Sequence, residues 1–214
     1  MNHNISILVA DDHPMLLKGL INELTEYGFN VLEGASNGAQ ALQIIDTKQP
    51  TIAILDINMP LLTGFEVIKK CKDNGSTTRF IILTCYEEKG YILKAKSLNI
   101  SGYLLKDEPF YEIKKCIHEV YKGNTYFSTI FNDVFDKEVS PQLKKIKFLS
   151  PSERTIIRLI AQEMSSKEIS DRLHISIRTV QKHRSNIITK LDLPSDSDAL
   201  TTWVSENKEL FSSI

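Results

Sequence analysis

Asp56 closes the apolar run Thr51-Ile52-Ala53-Ile54-Leu55 and precedes Ile57-Asn58-Met59-Pro60, a loop ended by a backbone breaker. A short, β-branched run of this kind reads as a buried strand, so a carboxylate stands at its tip. Three other runs end in the same manner: Ile5 to Val9 leads to Asp11 and Asp12, Arg79 to Leu83 leads to Thr84, and Tyr103-Leu104-Leu105 leads to Lys106. In an open parallel α/β sheet such tips gather outside the carboxyl edge, where these folds keep their chemistry. Crowded carboxylates repel unless they share a divalent cation, and oxygen-only ligation suits Mg²⁺. With the cation bound, Asp56 becomes a competent nucleophile toward a phosphoryl group. The Thr84 hydroxyl and the Lys106 ammonium can each then hold a phosphoryl oxygen. Taken singly these residues have ordinary explanations: Asp12, before His13-Pro14, can cap a helix, and Asp56 can open a turn. Four strands that deliver compatible groups to one end make the functional reading the better one.

The elements that must position these groups alternate along the first half of the chain. Strands are predicted at Ile5 to Val9, Asn30 to Glu33, Thr51 to Leu55, Arg79 to Leu83 and Gly102 to Leu105. Helix-period segments lie between them at His13 to Tyr27, Ala39 to Lys48, Gly64 to Lys72, Glu87 to Lys96 and Phe110 to Lys122. Strict alternation argues a doubly wound, five-stranded parallel sheet with helices on both faces, filling residues 1–122. Gly123-Asn124 stops the last helix, and the poorly periodic stretch that follows, with Pro141 and lysines at 144, 145 and 147, reads as a linker over 123–148 with room for a short helix at Ile130 to Phe135.

A second, all-helical domain is expected over 149–214, and its caps are the clearest signal. Ser150-Pro151-Ser152-Glu153 combines a capping Ser, Pro at the first helical position and Glu three residues after the cap. Ser165-Ser166-Lys167-Glu168 repeats the capping box, and Ser176 caps a third helix through Val180, Ile187 and Leu191. Only His174 and Ile175 separate Leu173 from that cap, so the pair reads as a helix-turn-helix. Ser195 to Glu206 is predicted as a fourth helix. Projected at the helical period, Val180, Ile187 and Leu191 form an apolar stripe with Arg184 at its border. Arg178, Gln181, Lys182, Ser185 and Thr189 fall on the other side. From Arg172 to Lys190 there are five basic residues and no Asp or Glu, which suits phosphates and base edges in a DNA major groove.

Bulk composition limits the remaining classes. A chain of 214 residues, 42% hydrophobic and 25% charged with net charge −1, has room for two cores and is too apolar for disorder. Cys71, Cys85 and Cys116 are odd in number and far apart, which fits reduced thiols rather than a disulfide framework. The first residues lack a basic region followed by an apolar stretch, and no run approaches membrane-spanning length, so a cytoplasmic protein without a membrane partner is expected.

Residues 5 to 122 resemble a response-regulator receiver domain, a flavodoxin-like fold, through Asp11-Asp12, Asp56, Thr84 and Lys106 at the ends of the first, third, fourth and fifth strands. Residues 149 to 206 resemble the LuxR-type helix-turn-helix through Leu149-Ser150-Pro151-Ser152-Glu153-Arg154, Lys167-Glu168-Ile169 and Thr179 to Ile187. The whole chain is therefore similar to regulators of the NarL/FixJ type. That resemblance implies Asp56 as the phosphoacceptor and a metal site made by Asp11 through a water, Asp12, Asp56 and the Asn58 backbone carbonyl. It implies Thr84 and Tyr103 as a switch pair, with Lys106 as the phosphoryl-binding amine. It implies DNA contacts from Arg178, Thr179, Gln181, Lys182, Ser185 and Thr189, and a dimerisation role for helix 195–206. A sensor histidine kinase, double-stranded promoter DNA and a second copy of the chain would be the partners, and the protein would be a transcription regulator rather than an enzyme. Two positions depart from the family pattern: Asp107 follows Lys106 where many receivers have Pro, and Glu163 stands where Gly usually ends the first helix of the second domain, so that helix is expected to stop without a left-handed residue. Two other readings of the residues stay open: a receiver that works as an interaction module without phosphorylation, and a phosphatase with Asp56 as transient nucleophile.

Overall fold

The computed structural model describes residues 4–139, 144–146, 148–194 and 198–211, and the chain divides into two compact units, Met1–Asp133 and Val134–Ile214. In the first, β1 (Ser6–Ala10), β2 (Asn30–Val31), β3 (Ile52–Leu55), β4 (Arg79–Thr84) and β5 (Gly102–Leu105) alternate with α1 (Pro14–Glu26), α2 (Gly38–Lys48), α3 (Gly64–Asp73), α4 (Lys89–Ser97) and α5 (Phe110–Tyr121). All strand pairs are parallel, in the order β2-β1-β3-β4-β5-β6.

The sheet has six strands, not the five expected. The sixth, β6 (Tyr126–Phe127), pairs with β5 and is followed by α6 (Thr129–Val134) and a wide helical turn at Phe135–Val139, all within the stretch read as linker. Two residues are too few for an alternation to be visible in a sequence, and β6 is specified by its neighbours: Tyr126 N–H donates to the Ser101 carbonyl and Ser128 N–H to that of Tyr103. β2 is likewise shorter than its apolar run, because only Ser6 and Ile7 offer it a ladder.

Strands β3 and β5 are buried along their whole length, as parallel strands covered on both faces must be. On one face Ile7, Val9, Ile52, Ile54, Ile81, Leu83 and Leu104 pack under Leu20 and Leu24 of α1 and Ile113, Ile117 and Val120 of α5. Two glycines fix the loop after β3. A Cβ on Gly64 would stand 2.2 Å from the Asp56 carbonyl oxygen, and one on Gly38 would stand 1.9 Å from that of Leu62. Only glycine lets the starts of α2 and α3 close on this loop. Thr63 then opens α3 with a full capping box to Glu66.

The second unit contains α7 (Pro151–Ala161), α8 (Ser166–Leu173), α9 (Ile177–Leu191), α10 (Ala199–Glu206) and a 3₁₀ turn at Lys208–Phe211. Both predicted capping boxes are formed, at Ser150 with Glu153 and at Ser165 with Glu168. Val180, Ile187 and Leu191 are fully buried, as their stripe requires. The predicted start of the fourth helix, Ser195 to Ser197, lies outside the described residues.

The end of α7 differs from expectation. Glu163 adopts φ +64°, the left-handed conformation that a β-carbon disfavours. The Glu163 N–H donates to the Ile160 carbonyl and the Met164 N–H to that of Leu159, which together make a Schellman closure with Glu in the glycine position.

Candidate functional site

Because β1 and β3 are adjacent while the chain departs from them in opposite directions, their carboxyl ends frame the crevice at which this topology binds ligands. Asp11 and Asp56 are almost buried there, at 4% exposure each. Lys106 leaves β5 and reaches back past β4, so that Nζ lies 2.8 Å from Asp11 Oδ2 and 3.1 Å from Asp56 Oδ2. The Lys106–Asp107 peptide is trans, and Asp107 in the usual proline position leaves the lysine's reach intact.

Electrostatics follow from that geometry. Burial pushes the Asp56 carboxyl above its ordinary range more strongly than the Lys106 ammonium pulls it down, and Asp11 adds like-charge repulsion. Burial also works to neutralise Lys106, but hydrogen bonding to Asp11 and the charge of Asp56 hold its pKa above the usual value. The ammonium is thus locked as a cation between two carboxylates.

Ligand atoms of Asp11, Asp12, His13 and Asp56 lie within 4.8 Å of one another. Asp12 Oδ1 is buried without a hydrogen-bond partner. A buried carboxylate oxygen that accepts no hydrogen bond, with the His13 ring nitrogen 3.0 Å away in a crowded acidic cluster, fits a cation site. Asp11 Oδ1 is oriented by the His13 backbone N–H at 2.9 Å.

The other predicted residues take definite places around this cluster. Thr84 ends β4 fully buried, and its hydroxyl accepts the Tyr86 N–H at 3.4 Å. Tyr103 is 1% exposed, and its hydroxyl donates to the Tyr86 carbonyl. Desolvation drives its phenol pKa far up. Asn58 is exposed in the loop after β3, and its side-chain amide donates to the Tyr86 hydroxyl. Tyr86, which also stacks on Tyr91 at 4.6 Å, therefore touches Asn58, Thr84 and Tyr103 alike. Sequence reasoning missed it, because a tyrosine two residues past a strand carries no periodic or motif signal.

In the second unit α9 leaves Arg178, Gln181, Lys182, Ser185 and Thr189 exposed on one side. Its start is tied by Ser176, whose side chain accepts the Thr179 N–H. Thr179 is half-buried, with its hydroxyl paired to that of Ser176 at 2.8 Å, so it belongs to the cap more than to the open face. Ser185 and Thr189 return their hydroxyl hydrogens to the carbonyls of Gln181 and Ser185, which leaves their lone pairs outward. Arg184 is half-buried and donates to Thr201 Oγ1 at 3.1 Å, which removes it from that face.

This fold and these two sites have known relatives. Residues 7–118 match the response regulator receiver domain, and residues 147–202 match the bacterial regulatory proteins of the luxR family. The transcriptional regulatory protein DesR of Bacillus subtilis is 32% identical over 198 residues, covering 92% of this chain and 95% of that protein. The nitrate/nitrite response regulator NarL of Escherichia coli K12 is 29% identical, covering 95% of this chain and 96% of NarL. Among solved structures, RcsB of Salmonella typhimurium superposes with a TM-score of 0.62 at 25% identity over 96% of this chain and 99% of that one. An RcsB–DNA complex gives 0.60 at 25% identity over 94% and 98%. The chain belongs to the LuxR-family response regulators, two-component transcription regulators in which a receiver precedes a DNA-binding domain. No described helix is long and apolar enough to cross a membrane.

Proposed function

We propose that this chain is switched by phosphorylation of Asp56 by a sensor histidine kinase, and that the switch controls homodimerisation and sequence-specific binding to promoter DNA in the cytoplasm. The observation that carries the reading is Lys106 Nζ, buried and shared between Asp11 and Asp56 from across an intervening strand. An isolated buried ion pair is a poor stabiliser, so a site that keeps two carboxylates and an ammonium apart from water is better explained by chemistry.

Asp12, Asp56 and the Asn58 carbonyl would hold Mg²⁺ directly and Asp11 through a water. When bound, the ion neutralises repulsion between Asp56 and the incoming phosphoryl group. An Asp56 carboxylate oxygen attacks the phosphorus of the kinase's phosphohistidine, the P–N bond breaks as the imidazole leaves, and Lys106 exchanges its carboxylate partner for a phosphoryl oxygen. Thr84 moves its hydroxyl toward another phosphoryl oxygen, and the Tyr103 ring, already buried, turns into the space that Thr84 vacates. The added group carries roughly −1.5 to −2 charge. Driving a receiver from 1:99 to 99:1 takes about 5.5 kcal/mol of bias between the two states.

On the output side α9 enters the major groove, with Gln181, Lys182 and Ser185 toward bases and Arg178 and Thr189 toward phosphates, while α10 serves dimerisation. Support comes from the acid-free exposed face of α9 and from the RcsB relative that was solved with DNA. The test is selection from a random double-stranded DNA pool, followed by titration of the chosen duplex with unmodified and acetyl-phosphate-treated protein. Tighter binding after treatment is expected. Equal binding in both states would leave the receiver as an interaction module without a phosphate switch, and failure to enrich any duplex would overturn the reading of α9.

A further inference from the structure

The acidic cluster contains one donor that an all-oxygen site lacks. His13 Nδ1 lies 3.1 Å from Asp11 Oδ1 and 3.0 Å from Asp12 Oδ1. Neighbouring ligands of an octahedral ion with bonds of about 2.1 Å stand about 3.0 Å apart, so Nδ1 and Asp12 Oδ1 have the spacing of adjacent ligands in such a shell, and one ligand atom from each of Asp11, Asp12, His13 and Asp56 lies within 4.8 Å of the others. A protonated ring would pair with both carboxylates, whereas a neutral ring turns the Nδ1 lone pair toward a cation held between them. Only the contact to Asp11 Oδ1 has hydrogen-bond geometry, and Asp12 Oδ1, although as close, is buried without a hydrogen-bond partner.

The fold does not need this imidazole elsewhere. His13 is the residue before α1, but its side chain makes no capping bond, and Pro14 sets the first helical position. Its side chain is 67% exposed, so the ring borders the cluster from the solvent side. Its backbone N–H orients Asp11 whatever the side chain is.

We propose that His13 Nδ1 is an additional metal donor, which makes this a mixed nitrogen–oxygen site biased toward divalent transition ions relative to Mg²⁺. Imidazole suits first-row transition ions, whereas Mg²⁺ takes oxygen and keeps its waters. The inference rests on reading the strand-end cluster as a cation site, and adds to it which cations that site selects.

Calorimetric titration of the full-length protein and of His13→Ala with MgCl₂ and with CoCl₂ tests it. Loss of the ring should weaken Co²⁺ by roughly tenfold or more and leave Mg²⁺ within about twofold, because Mg²⁺ does not draw on the imidazole. His13→Gln, which keeps a polar side chain without the ring, should behave like the alanine variant. As an independent readout, the spin echo of the Mn²⁺-loaded wild type should carry imidazole nitrogen modulation that both variants lack. Equal changes for Co²⁺ and Mg²⁺, no change for either, or no nitrogen modulation in the wild type would overturn the role of His13 and leave the cation site standing. If the wild type bound neither ion, both the cation-site reading and this one would fall.

Discussion

The Tyr103 and Phe131 rings lie 5.0 Å apart, tilted by 46°, and Phe131 stacks in turn on Phe127 at 4.5 Å. Lys96 caps the pair with its ammonium 4.2 Å from the Phe127 ring centroid. The tyrosine that is proposed to respond to phosphate is thus packed against the helix that ends the receiver unit. Any rotation of Tyr103 must repack Phe131. Hydrogen exchange of residues 129–134 should therefore change when the protein is phosphorylated, and unchanged exchange would mean that the switch stops at Tyr103. Phe131→Ala should cost the receiver about 3 kcal/mol or more in denaturant unfolding, since it empties a fully buried ring position.

Glu163 holds a left-handed conformation that Gly would hold without strain. Its carboxylate pairs with Lys208 at 3.0 Å, but both side chains are largely exposed, at 84% and 55%, so the pair contributes little. Glu163→Gly should raise the stability of the second unit by about 0.5–1 kcal/mol, the left-handed penalty of about 1–2 kcal/mol less the extra entropy that glycine loses on folding. An unchanged or lowered unfolding midpoint would mean that the ion pair outweighs the backbone strain.

Much of this architecture was legible beforehand because its determinants are local. Apolar runs ending in Asp56, Thr84 and Lys106 mark strand ends, and Ser150 and Ser165 with their glutamates mark helix starts at fixed offsets. What was missed is specified from a distance or by backbone alone. β6 exists through carbonyls offered by Ser101 and Tyr103, Glu163 is forced left-handed by the Schellman closure, and Tyr86 acquires its place from Asn58 and Tyr103. His13 stood beside the two aspartates in plain sight, yet only the ring's orientation distinguishes a donor from a bystander.

Glu153 is 3% exposed and accepts from Lys190 Nζ at 2.7 Å and from the Ser150 N–H at 2.7 Å. Burial works against its charge, but the ammonium and the N–H hold the carboxyl below its ordinary value of 4.5. A lowered folded-state pKa means that this stabilisation is present above about pH 4.5 and is lost as pH falls through the folded value. The second unit should therefore lose stability on acidification through and below that range. Glu153→Gln, which keeps an oxygen for the cap, should cost about 1–2 kcal/mol at neutral pH and flatten the acid limb. A variant with the wild-type acid profile would remove Glu153 from this account.

Gln181 and Arg178 separate reading from anchoring on α9. Gln181→Ala should relax preference at one base per half-site by about 1–3 kcal/mol and leave the salt slope nearly unchanged. Arg178→Ala should weaken all duplexes alike and lower the logarithmic salt slope by roughly one unit. Titrations at several salt concentrations on single-base variants distinguish them, and exchanged behaviours would mean that α9 docks in another orientation.

The central claim is that Asp56 is the phosphoacceptor, and intact-mass measurement after incubation with Mg²⁺ and acetyl phosphate tests it most directly. Asp56→Asn preserves the shape of a side chain whose Oδ1 accepts the Ile57 N–H, so the fold should survive. One added phosphoryl group is expected on the wild type and none on the variant. Equal phosphorylation of the two proteins would contradict the assignment.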